Sequence, residues 1–316
     1  MRNFLVFLTI FLVFAPVLIP GDEAGGFSAS TDLEIQLSTV PEAKIRINQS
    51  FTFPFLQGSS PLTEDNNIEF TISADISPVS LAGIGEITLT PAAFFQIAGG
   101  GQAGSGWNMA LGNGIGLRGP GAVDQGLRKA KIDGNPFDGL IWQAWGAGIL
   151  QFDLGAVFPG PWNHVVFQTR QEFRYSAYTR AGPNDYWIFE GDDGENRNGW
   201  KYRPSYTLGY MMPQSPVLNF VGFMAEMEKP LYNGIEGAEN WGEGLEKWVF
   251  SGLFNFSINP RFDTLLAIQM RTRRNHGLAD FNNKDIYYQD LPLQNEGGQR
   301  QILFHRAALI MNFKIR

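Results

Sequence analysis

Acid–base chemistry in this chain would have to run through three histidines, His164, His276 and His305. A general base of this kind needs a carboxylate to orient it. His276, in "RRNHGLAD", has Asp280 four residues on and is the best placed. His164 sits beside a short turn, and the alternation around His305 puts it on an apolar face. No His has an acidic residue two places before it, so no Asp-x-His pair exists and an enzyme is not expected. The run "EGDDGENRNG" gathers Glu190, Asp192, Asp193 and Glu195, the oxygen donors that hard cations favour. Its spacing is not that of an EF-hand, so it is a weak metal site and otherwise a solvated loop tip. "GIGLRG" (114–119) matches G-x-G-x-x-G but lacks the strand–helix setting that gives the motif meaning. With no Cys, disulfides, thiolate metal sites and a lipid anchor on cysteine are all excluded. No cofactor is expected.

The largest set of reactive side chains is ionic and sits at alternate positions. Lys44, Arg46, Glu69, Asp75, Glu86, Asp153, Arg170, Glu172, Arg174, Lys201, Arg203, Glu226, Glu228, Lys247, Asp263, Arg271, Arg273 and Arg306 share the polar faces of two-faced segments, as do Arg261 and Lys314. The basic run "RTRRN" (271–275) could meet phosphates through charge-assisted hydrogen bonds, or be a solvated strand end.

Those segments must be strands, because period 2 is the strand period. "AKIRINQSFTFPF" sets Ile45, Ile47, Phe51, Phe53 and Phe55 against Lys44, Arg46, Asn48, Ser50 and Thr52. "WVFSGLFNFSINPRFDTLLAIQMRTRR" places Trp248, Phe250, Phe254, Phe256, Phe262, Leu266, Ile268 and Met270 on one face of a hairpin turned at Asn259-Pro260. We read ten strands, at 42–56, 66–77, 80–98, 139–157, 163–180, 199–212, 216–229, 245–258, 261–274 and 300–316. A twelve-strand version follows if 104–117 adds a strand. Short linkers ("SPV", "PGPWN", "MPQS", "INP") alternate with long ones (57–65, 99–138, 181–198, 230–244, 275–299). That asymmetry, with an even strand number, marks an all-β, antiparallel up-and-down transmembrane barrel. Trp142, Trp162, Tyr175, Tyr178, Trp200, Tyr202 and Trp248 near strand ends suit an interfacial girdle. A soluble sandwich would also alternate, but its polar face would be the outside.

Composition agrees. Charged residues are 17% of the chain and aromatics 14%, against about 25% charged in ordinary soluble domains. The net charge of -7 argues against a nucleic-acid partner. Residues 1–29 have the layout of a secretory signal peptide, with Arg2 before an apolar run that Pro16 interrupts and Asp22 and Glu23 follow. The barrel then occupies 30–316.

The leader, the strand pattern and the last strand together resemble the outer-membrane β-barrels of diderm bacteria. In "LIMNFKIR", Leu309, Met311, Phe313 and Ile315 alternate as in the assembly signal of such proteins, though Arg316 stands where a terminal Phe is usual. The resemblance implies a bacterial outer-membrane location, with membrane lipid as one partner. It also implies porin-like passive passage of small hydrophilic solutes, small anions among them, because rings of basic side chains lower the barrier for anions. The alternative is a closed barrel filled by paired charges, acting through its long loops as an adhesin or surface-interaction protein. The 99–138 loop could fold inward as a plug, with "AVDQGLRKAKID" as a short helix.

Overall fold

The computed structural model of the chain describes residues 26–40, 42–109, 112–124, 129–158, 160, 164–182, 185–190, 196–212, 215–231, 246–274 and 300–315. Five strands open the wall: β1 (Ser28–Ser38), β2 (Glu42–Pro54), β3 (Asn67–Ile76), β4 (Ser80–Ala92) and β5 (Phe95–Gly106). Four short pieces follow: β6 (Asn108–Met109), β7 (Gly112–Asn113), β8 (Ile115–Asp124) and β9 (Lys129–Asp133). The wall resumes with β10 (Ile141–Asp153), one helical turn α1 (Leu154–Val157) and β11 (Val165–Tyr178). After β12 (Tyr186–Phe189) it is completed by β13 (Gly199–Met211), β14 (Leu218–Pro230), β15 (Lys247–Asn259), β16 (Phe262–Arg274) and β17 (Arg300–Lys314).

All twelve wall strands pair antiparallel with their neighbours, and β1 closes on β17 from Asp32↔Lys314 to Ser38↔Ala308. Closure removes both sheet edges, so no row of backbone donors and acceptors is left open. The wall strands are 10 to 15 residues long, enough for the roughly 9–11 residues a tilted strand needs to cross a bilayer.

Twelve is the larger count, but the added strands are not at 104–117. One is β1, whose Thr31, Leu33, Ile35 and Leu37 alternate with Asp32, Glu34 and Gln36 directly behind the leader segment. It begins at Ser28, two residues inside the span assigned to the leader, and pairs with β2 from there on (Ser28↔Thr52). The other arises because the expected strand 80–98 turns back at Ala93-Phe94 into β4 and β5. These omissions invert the expected ends of the first strands and cancel beyond β5. The 77–79 turn therefore lies at the same end as the long loops, and the 55–66 loop at the end that holds Ser28 and Lys314. In "AVDQGLRKAKID", where a helix was expected, 122–124 end β8 and 129–133 form β9, and 125–128 lie outside the described residues.

The apolar set faces outward. Ile45, Phe53, Phe70, Ile87, Trp142, Phe167, Phe173, Leu208, Phe223, Ile268 and Phe304 are large, apolar and exposed. At the long-loop end Trp142, Tyr175 and Trp200 meet across three strands at 5.1 and 5.5 Å, the first pair tilted and the second edge to face, with Trp248 stacked beside Phe250 at 6.0 Å. Tyr178 does not join this belt. It lies on the opposite face of β11 and is 0% exposed.

Candidate functional site

Register gives the inner face strand by strand. Ile141, Gln143, Trp145, Ala147 and Ile149 of β10 pair with Tyr178, Ser176, Arg174, Glu172 and Arg170 of β11, and Lys201, Arg203 and Ser205 of β13 continue the rungs. The strand period therefore places all of these side chains on the side away from the exposed apolar set.

Glu172 is the centre of the densest charge cluster. Its side chain is 6% exposed, and its carboxylate accepts from Arg174 Nε at 2.7 Å and Arg170 Nη2 at 3.0 Å, with Arg203 Nη1 at 3.8 Å. Three cations around one buried carboxylate offset its desolvation, which a single partner rarely does. Arg174 also donates to Gln143 Oε1 at 2.8 Å and stacks over Trp145, 4.5 Å from the ring centroid. The Trp145 indole donates to Glu86 at 2.8 Å, and Arg170 lies 3.4 Å from the same carboxylate. Gly100 makes room for that indole: a Cβ there would stand 2.5 Å from it. Lys201 bonds Glu228 at 2.9 Å. Arg203 is held more loosely, 3.4 Å from Glu228, and its side chain is 39% exposed.

The other charged positions fall into smaller groups. Arg46 grips Asp75 with two bonds of 2.6 and 2.7 Å, and Lys44 is 3.8 Å from the same carboxylate. Arg306 bonds Glu42, and Gln269 at 2.6 Å. Glu69 accepts from Thr71 at 3.0 Å. Asp263 accepts from Ser257, 3.9 Å from Lys314. On the inner-face rungs Glu226 pairs in register with Ser205 and Val249, Lys247 with Glu228, and Arg271 with Val249. Asp153 caps α1 through the Gly155 N–H and lies 3.6 Å from His164 Nδ1, at the end away from the long loops. Arg273 belongs to β16, with its side chain outside the described residues. Arg261, expected on the inner face, is instead exposed in the 260–261 turn. The β16–β17 ladder skips His305, since Gln269 pairs with Arg306 and Met270 with Phe304. Simple alternation therefore does not hold there. His276, Asp280, Asp192, Asp193 and Glu195 lie outside the described residues. Among those that are described, no group of three or more His, Asp or Glu side chains could hold a metal ion.

Sequence reading missed the structure at the mouth. β12 pairs with β8 (Trp187↔Leu117, Phe189↔Ile115), and β8 with β9, so the loops after β5 and β11 form one small sheet. Trp187, Phe189 and Ile115 bury themselves against Ile141 and Tyr178, which are inner-face residues of the wall. Burial of side chains this large stabilises by roughly 1.5–3 kcal/mol each. Asn198 secures the base. Its oxygen accepts from Tyr178 N at 2.8 Å and Trp187 Nε1 at 3.0 Å, and its amide donates to the carbonyls of Tyr178 and Ala181.

The sheet then reaches across the mouth. Glu190 accepts from Lys44 Nζ on β2 at 2.7 Å and Ser80 Oγ on β4 at 2.8 Å. From β11, where this loop starts, β2 is five ladder steps round a ring of twelve. "GIGLRG" has its role here: a Cβ on Gly114 would stand 1.9 Å from the Val79 carbonyl oxygen, so only glycine fits between the sheet and the β3–β4 turn.

No protein-family model matches the chain, and no curated protein matches it. Among solved structures, the KdgM porin is similar with a TM-score of 0.40 and 8% identity, over 91% of this chain and 99% of that one. The NanC porin gives 0.41 and 6%, over 91% and 100%. The β domain of the Bordetella autotransporter BrkA gives 0.34 and 7%, over 92% and 98%. The fold assignment stands on the closed ladder of strand pairs in this chain.

Proposed function

We propose that the chain is an integral outer-membrane barrel that passes small hydrophilic solutes through its interior, with small anions favoured. Export would use a leader within residues 1–29 that ends before Ser28, so that β1 keeps its whole pairing with β2. The exposed apolar belt and its Trp–Tyr–Trp cluster at one end suit membrane lipid as the outer partner.

One observation carries the solute reading. The inner faces of β11 and β13 carry four cations, Arg170, Arg174, Lys201 and Arg203, and one carboxylate, Glu172; their other carboxylate partners, Glu86 and Glu228, reach them from β4 and β14. Arg203, the loosest and wettest of them, offers a guanidinium to a passing carboxylate or phosphate. The expected lining comprises the inner-face charges described above. A metal role for the 190–195 loop is not part of the proposal.

A closed barrel acting through its loops is favoured by one feature, the sheet of β8, β9 and β12 laid over the mouth. Planar-bilayer recording of the refolded chain separates the two readings. Passage gives discrete current steps in potassium chloride. A protein that is folded and inserted yet silent at every voltage would sink the passage reading.

A further inference from the structure

The sheet across the mouth is attached in two different ways. On the β10–β11 side it is held by an apolar core and by Asn198. On β2 it is held by the carboxylate of Glu190. Glu190 itself has φ 52°, a left-handed conformation uncommon for a residue with a Cβ. Its backbone N–H is bonded to the Gly114 carbonyl at 3.0 Å.

The receiving site is built in advance. Ser80 is buried, and with its hydroxyl hydrogen directed at Glu190 it accepts from Ser77 Oγ at 2.7 Å. Ser77 thus fixes the direction of the donor. Lys44 is mostly covered, and Asp75, its other acidic neighbour, is already taken by Arg46. Remove Glu190, and a lysine ammonium and an oriented hydroxyl remain without their anion. Such a pair recognises carboxylates through charge-assisted hydrogen bonds.

We propose that Lys44 and Ser80 form a carboxylate-binding site that Glu190 occupies as a resident competitor. A solute carboxylate entering the mouth takes the place of Glu190 and frees the β12 edge of the sheet. The inference rests on reading the interior as a solute path, and it supplies that path with a gate opened by its own cargo. A ligand shifts such an equilibrium only by binding the freed state better, and here it does so because Glu190 fills the site in the latched state.

Amide hydrogen exchange of the full chain in detergent micelles tests this without relying on conductance. Succinate is the probe, compared with chloride at equal ionic strength so that screening is matched. Succinate is expected to speed exchange at 187–190 in the native chain while the wall strands stay protected. In E190Q the same amides are fast from the start and succinate adds nothing. K44Q keeps Glu190 but removes the cation, and it loses the succinate response. Identical exchange at 187–190 in all three proteins, with and without succinate, overturns the proposal. A succinate response in a protein that carries no current upholds the site and removes only passage.

Discussion

On β11 and β13 the inner wall is a run of guanidinium, ammonium and carboxylate groups from Arg170 to Arg203, whereas on β15, β16 and β17 the rung beyond Ser251, Gln269 and Arg306 is Leu253, Ala267 and Ala308. Both stretches belong to one barrel. The first spends its inner face on charges that must be shared or solvated, with Glu172 serving three arginines. The second packs upon itself, with Phe220, Met224 and Leu265 against the Leu253–Ala267–Ala308 cluster. Phe220 lies flat over Gly209 and Gly222, where a Cβ would stand 2.2 and 2.5 Å from its ring. The inner face of β15–β17 is thus apolar at the level of Leu253, Ala267 and Ala308, between charged positions such as Lys247 and Asp263, and at that level water and ions are expected to keep to the β11 side. The polar face of a barrel strand is not uniformly polar, and the exceptions show where the interior is filled.

The contrast can be broken from either side. The largest effect is expected from Glu172→Ala, which leaves Arg170, Arg174 and Arg203 facing each other without their shared anion. Loss of one partner from a buried charge group costs about 3–5 kcal/mol, read as a fall in the urea midpoint in detergent micelles. An unchanged midpoint would mean that water already carries those charges. Leu253→Ala, in the apolar cluster of β15–β17, should cost about 2–3 kcal/mol, at the low end for buried leucine because flexible Met224 can move into the space. Its channel current should match that of the native chain, and an altered selectivity would show that the path touches this wall. Arg203→Ala should cost at most about 1 kcal/mol, as its ion pairs are long and partly exposed. It should nevertheless weaken anion preference more than Leu253→Ala does.

Much of this was legible in the sequence, and what was hidden has physical causes. Alternation set the two faces of most strands, and Asn259-Pro260 marked a real turn, in which Asn259 accepts from the Arg261 N–H at 2.9 Å. The turn at Ala93-Phe94 went unseen because its tip holds none of the residues that turns ordinarily need. After it Gly99, Gly100 and Gly101 carry no side chains to alternate. β1 was masked by the leader beside it. The sheet at the mouth is a tertiary product of two loops whose residues lie some seventy positions apart, Ile115 against Phe189. One signal for it was present: Tyr178 is aromatic on a face of β11 otherwise made of Arg170, Glu172, Arg174 and Ser176, and Ile141 stands opposite it in register. Such residues at the inner end of a barrel strand need a partner from elsewhere, and Trp187 and Phe189 supply it.

The central claim is that the β11–β13 wall makes the interior a wet path that favours anions. The reversal potential of the native channel in a potassium chloride gradient tests it most directly. The account predicts a potential displaced toward the chloride equilibrium value, and one displaced toward the potassium value would contradict it.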